Sequence, residues 1–202
     1  LTSIRTNLDM LDRYGELDPS DRREMVLSMR TEVDELTALV NEIVQAASGE
    51  ADDVEPERVD LGPVVSAVAE RVARRTEREI RVVADGSVAE VRTDALRRAV
   101  SNLLDNATKF DLSGGPIDVS VADAVITVAD RGPGIPVGER ERVLDRFHRA
   151  EAARALPGSG LGLAIVAEFA RSHGGDVTIS DRLGGGAEIS MRLGPPAGLN
   201  AG

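Results

Sequence analysis

Asn102 and Asn106 stand four residues apart, in the run Asn-Leu-Leu-Asp-Asn-Ala-Thr-Lys-Phe, and Lys109 follows about a turn later. On a helix this spacing puts both amides on one face. Val100, Leu103, Leu104 and Ala107 form the opposite, apolar face. Amide oxygens suit a hard cation such as Mg²⁺, which completes its shell with water and substrate phosphates. An ammonium group neutralises phosphate as a point charge. The same pattern also suits an amphipathic helix whose polar side meets only water.

A second constellation follows a strand-like stretch: Asp130-Arg-Gly132-Pro-Gly134-Ile135-Pro136. Its glycines permit a tight turn and close backbone approach to a ligand. A carboxylate at the strand end can accept a hydrogen bond from an exocyclic amine. Taken alone, these residues read as an ordinary turn. A third, Gly158-Ser159-Gly160-Leu161-Gly162-Leu163, runs from a glycine loop into an apolar helix. Free amides at a helix start bind phosphate. The partial match to a dinucleotide-binding glycine pattern is set aside, because 149–156 is not strand-like and no βαβ unit surrounds it.

The elements that must position these groups are legible in outline. Helix-like stretches fall near 61–76, 94–110, 139–147 and 161–174. Strand-like stretches fall near 79–84, 88–92, 117–121, 124–130, 176–181 and 187–193. Several strands follow one another directly, so the expected class is α+β, a sandwich of helices on one face of a mixed, largely antiparallel sheet. Residues 1–48 read as a helical hairpin. Leu1, Ile4, Leu8 and Leu11 share a face, Asp18-Pro19-Ser20-Asp21 starts a second helix, and Met25, Met29, Val33, Leu36, Val40 and Ile43 continue it as a near-heptad seam. The second helix is expected to outreach the first by about half its length at ~1.5 Å per residue, so the first is expected to extend upstream. Residues 49–56 have linker composition, 57–194 form the main domain, and 195–202 read as a disordered tail.

Composition excludes several chemistries. Cysteine is absent, which removes disulfides and thiolate chemistry. A net charge of −11 argues against a nucleic-acid partner. Lys109 is the only lysine in an arginine-rich chain.

In this order, the three constellations resemble the asparagine box and two glycine boxes of the histidine-kinase ATP-binding domain. Arg146-Phe147-His148-Arg149 looks like its phenylalanine box. The resemblance covers 57–194 and implies the Bergerat sandwich, with ATP and Mg²⁺ bound. It implies that Asn106 ligates the metal, Asn102 and Lys109 face the phosphates, and Phe110 borders the nucleotide. It further implies that Asp130 reads the adenine amine, with Gly132, Gly134 and Ile135 shaping that pocket. Arg149, Gly158, Ser159, Gly160, Leu161, Gly162 and Leu163 then lie along a lid spanning about 137–160 and at the phosphate end. Water-activating relatives of the superfamily resemble one another in placing a glutamate base where this chain has Asn102, and an amide cannot take that proton. The expected reaction is therefore phosphotransfer.

The resemblance also implies that residues 1–48 are a dimerisation hairpin whose phosphoacceptor histidine lies upstream of Leu1. This stretch is then not expected to autophosphorylate, and neither His148 nor His173 is expected to replace that histidine. It implies the cytoplasmic part of a membrane sensor, attached through segments upstream, a homodimer in the intact protein, and a response-regulator receiver domain as partner. Arginine usage and the run Arg-Ala-Leu-Pro-Gly-Ser-Gly look similar to actinobacterial stress-sensing kinases. The alternatives are an anti-sigma-factor-type serine kinase and a non-catalytic nucleotide-binding module of the same fold.

Overall fold

The computed structural model describes residues 10, 18, 21–23, 25–29, 33, 55–150 and 160–194. Most of the expected hairpin, most of the linker, the tail, and Gly158 and Ser159 lie outside the described residues. Two compact units are distinguished, one drawn mainly from 1–53 and one from 54–153 with 160–202. In the first, residues 21–23 and 25–29 are helical, and the Arg22 amide donates to the Asp18 carbonyl at 3.0 Å, where the sequence places a helix start.

The second unit begins with β1 (Glu57–Asp60), then α1 (Leu61–Thr76). Asp60 caps α1 by accepting from the Gly62 amide at 3.0 Å. Glu77, at φ 54°, ends it in the left-handed conformation. β2 (Ile80–Ala84) and β3 (Val88–Val91) lead to α2 (Thr93–Phe110), which buries Leu96, Ala99, Val100, Leu103, Leu104 and Ala107 at helical spacing. β4 (Ile117–Ala122) and β5 (Val125–Ala129) form a hairpin through Asp123 and Ala124, both at positive φ. Further along the chain come α3 (Gly162–Ser172), β6 (Asp176–Asp181) and β7 (Ala187–Arg192).

Five strands form one sheet in the order β2-β4-β5-β7-β6, with β2 parallel to β4 and the other pairs antiparallel. β1 and β3 pair separately as a two-stranded antiparallel ladder. Ile117, Val119, Val121, Ile126, Val128, Ile189 and Met191 alternate onto one face and pack with the helices in a single core. Truncating one of the fully buried leucines, such as Leu103 or Leu104, costs about 2–5 kcal/mol.

One expected helix does not form. Instead of a helix at 139–147, there are two short 3₁₀ turns, Val137–Glu139 and Arg142–Leu144. Pro136 and Gly138 oppose a longer helix. Among its apolar residues only Val143 is buried, Asp145 is extended, and Phe147 has a φ of 64°. Such a segment has too little apolar surface to bury to sustain a helix.

Candidate functional site

Asp130 follows the last residue of β5. Its amide donates to the Ala187 carbonyl at 2.9 Å, and its Oδ1 accepts from the amides of Gly132 at 2.8 Å and Ala187 at 3.2 Å. The residue is only 4% exposed. Among the described residues, no donor is recorded on its second oxygen. One oxygen thus fixes the turn and the other is left for an N–H donor on a ligand. Burial pushes this carboxyl above the usual carboxylate range; the two amides oppose the shift, as does Arg182, while the charge of Asp111 adds to it.

The glycines around this carboxylate are required by space. A Cβ on Gly132 would stand 2.8 Å from the Phe110 carbonyl oxygen and 3.1 Å from Asp130 Oδ1. Gly134 sits at φ +75° against the Gly186 carbonyl. The turn therefore closes on the C-terminal end of α2, next to Phe110.

Further along α2, the half-buried amides of Asn102 and Asn106 share one face, and no hydrogen bond is recorded to either side chain among the described residues. Lys109 Nζ lies 4.9 Å from the centroid of the Phe110 ring. Gly162, at the start of α3, lies against Asn102, where a Cβ would be 3.5 Å from Oδ1. Among the described residues, no side chain caps the start of α3, the end of a helix at which amides suit an anion. Gly160, at φ +77°, lies close to the backbone of Phe147 and His148. Ile135 is half-buried and its carbonyl accepts from Arg140 Nε at 2.9 Å. Arg149 is half-buried. Leu161 and Leu163 are largely buried, Leu163 within the core. Asp130 and Gly132 are thus brought to one end of α2, Gly162 to Asn102 two turns away, and Asn106 between them.

Sequence reasoning missed the residues that hold this arrangement. Asp111, 1% exposed, directly follows α2. Its Oδ1 accepts from the Ser113 amide at 2.9 Å and hydroxyl at 2.5 Å. Its Oδ2 accepts from the Arg131 amide at 3.1 Å and pairs with Arg78 at 3.1 Å. Burial opposes its charge, but these donors together hold it below the usual carboxylate range. Asp118 receives both Arg131 and Arg182 on one oxygen. Gly186 touches the Asp130 carbonyl so closely that a Cβ would overlap it, at 2.0 Å. The run Gly184-Gly185-Gly186 between two strand patterns was a visible signal for a tight turn, but not for what the turn closes upon.

The comparisons with known proteins follow the same division. The model of the family described as "Histidine kinase-, DNA gyrase B-, and HSP90-like ATPase" matches residues 91–197. The signal transduction histidine-protein kinase/phosphatase MprB of Mycolicibacterium smegmatis is 41% identical over 209 residues, covering 96% of this chain and 42% of that protein. The solved structure of a mycobacterial sensor histidine kinase MprB matches with a TM-score of 0.62 at 36% identity, over 70% of this chain and 99% of that one. The ATP binding domain of PrrB from Mycobacterium tuberculosis matches with a TM-score of 0.59 at 29% identity, over 71% and 100% respectively. The chain spans about two fifths of the length of the curated relatives it matches. Among the described residues, no helix is long and apolar enough to cross a membrane.

Proposed function

The chain belongs to the sensor histidine kinases, within the family of histidine kinase-, DNA gyrase B- and HSP90-like ATPases, and we propose that residues 57–194 bind Mg-ATP and donate its γ-phosphoryl group to a histidine. From there the group passes to an aspartate of a response-regulator receiver domain. The observation that carries this reading is the shared frame of Asp130 and α2. A buried carboxylate with one open oxygen sits at the end of a helix whose half-buried polar stripe offers two amides with no recorded hydrogen bond among the described residues.

In this reading Asp130 accepts from the adenine amine. Gly132 and Gly134 let the base approach the backbone, and Phe110 borders it. Asn102, Lys109 and the amides at the start of α3 face the phosphates, with Arg149 near them. Asn106 offers a hard amide oxygen that makes no recorded hydrogen bond among the described residues, which fits Mg²⁺ as a ligand. When bound there, the ion neutralises charge on the phosphates. Asn102 cannot act as a base toward water, so ATP is held for another nucleophile and not rapidly hydrolysed. That amide favours the histidine kinase over a hydrolase or a serine kinase with a carboxylate base. The intact protein acts as a homodimer through the hairpin, as the cytoplasmic part of a membrane sensor.

Calorimetric titration of the chain with Mg-ATP, followed by incubation with a separately prepared hairpin bearing the acceptor histidine, tests both halves. Binding, slow turnover alone and acid-labile phosphorylation of the hairpin are expected. Rapid ATP hydrolysis without an acceptor would instead point to a hydrolase, and absence of binding would sink the nucleotide assignment.

A further inference from the structure

Arg182 lies in the turn between β6 and β7, whose Gly186 closes on the Asp130 carbonyl. Its side chain is 17% exposed, and its Nη1 is buried with no hydrogen-bond partner. Its other terminal nitrogen donates to Asp118 Oδ2, on β4, the oxygen that also takes Arg131 at 3.3 Å. Arg131 is the residue after Asp130, and it also reaches the Pro116 carbonyl. The Arg182 amide donates to the Gly186 carbonyl at 3.1 Å, and Gly186 abuts the Asp130 carbonyl. Ala187, next in line, exchanges backbone and side-chain hydrogen bonds with Asp130.

A largely buried guanidinium is costly to desolvate and would be replaceable by apolar filling if packing were its whole role. Here it stands where its charge reaches Asp130. The charged groups around that carboxylate are Asp111 beyond the end of α2, Arg131 beside it, Asp118 on β4 and Arg182. Asp111 disfavours its ionisation and Arg182 favours it.

We propose that Arg182 is a positioning residue for recognition of the nucleotide base: with Asp118 and Arg131 it clamps the β6–β7 turn to the Asp130 turn and sets the orientation in which Asp130 meets its ligand. This rests on the nucleotide-binding reading given above. No contact between Arg182 and the phosphates is involved, so ATP and ADP depend on it equally.

The test uses the 202-residue chain and its R182M, R182K and D118N variants, titrated with Mg-ATP and Mg-ADP from about pH 5 to pH 8. R182M is expected to weaken both nucleotides alike, by about tenfold, and to move the acid limit of binding to higher pH. R182K restores the position of that limit, because the charge returns, but only part of the affinity, because the planar fork does not. Unchanged affinity and an unchanged acid limit in R182M overturn the proposal, as does a loss confined to ATP. If R182M fails to fold, D118N decides: an equal loss for both nucleotides supports the clamp, and wild-type affinity overturns it. A wild-type chain that binds neither nucleotide defeats the underlying reading instead, a result no variant can mimic.

Discussion

The turn around Asp130 and the segment from Val137 to Ala150 are held in different ways. The Asp130 turn is fixed by a buried carboxylate, two flanking ion-pair networks and glycines with no room for a Cβ. The Val137–Ala150 segment has two short 3₁₀ turns as its regular structure, and its pairs differ in exposure. His148 meets Glu139 at 3.2 Å and Arg146 meets Glu168 at 2.8 Å, while Phe147 is 54% exposed at positive φ. Buried, multiply bonded polar groups define one geometry. A pair as exposed as Arg146–Glu168 contributes little to holding a segment. The Asp130 turn is thus tightly specified, and the Val137–Ala150 segment less so.

The largest effect tests what joins the two regions. Asn106→Ala is expected to abolish Mg-ATP binding by calorimetry while leaving the fold intact, since among the described residues the amide carries no recorded hydrogen bond. Wild-type affinity in this variant would remove the metal assignment.

Next comes the rigid side. Gly186→Ala would place a Cβ 2.0 Å from the Asp130 carbonyl oxygen at a φ of +109°. A loss of about 3 kcal/mol or more is expected, with weaker nucleotide binding, because neither backbone can move freely. Unaltered chemical denaturation would show that the two turns are not locked together.

Asp111 and Asp130 then make an internal contrast of sign. The folded state holds Asp111 below its usual value, so its contribution is present above the unfolded carboxylate value near ~4 and is lost as pH falls below it. Asp111→Asn should lower stability at neutral pH by about 2–3 kcal/mol. The folded state raises Asp130, so its ionised form costs stability once pH exceeds the unfolded value. Asp130→Asn should therefore leave the melting temperature of the ligand-free chain equal or higher at neutral pH, while lowering nucleotide affinity about tenfold to a hundredfold. A marked drop in its melting temperature contradicts that sign.

The smallest effects belong to the Val137–Ala150 segment. Arg146→Ala removes a pair that is more than half exposed on both sides and should change stability by less than about 1 kcal/mol. Gly138→Ala has nothing within 4 Å and no positive φ, so it should be neutral or stabilise by up to about 1 kcal/mol. A large melting shift in either would mean the Val137–Ala150 segment is as tightly held as the Asp130 turn.

Much of this contrast was legible before the structure. The strand-like stretches at 79–84, 117–121, 124–130 and 176–181 match β2, β4, β5 and β6 to within a residue at each end, because half-buried strands alternate apolar and polar positions. The apolar stripe of α2 fixed which face Asn102 and Asn106 would share. The stretch at 139–147 failed for the same reason in reverse. It carries helix-compatible residues, but too little apolar surface to be buried, and its conformation is decided by what it packs against.

Local spacing, then, determined most of the elements, the shared amide stripe and the three motifs, because periodicity and turn chemistry act between near neighbours. Only the tertiary structure decided that Asp111, Asp118, Arg182 and Gly186 surround Asp130. Arg182 lies 64 residues from Asp118 in the chain, and no local pattern encodes that a charge will be buried beside a partner so distant. Long-range pairing of this kind exists only once the sheet has brought β4, β5, β6 and β7 together.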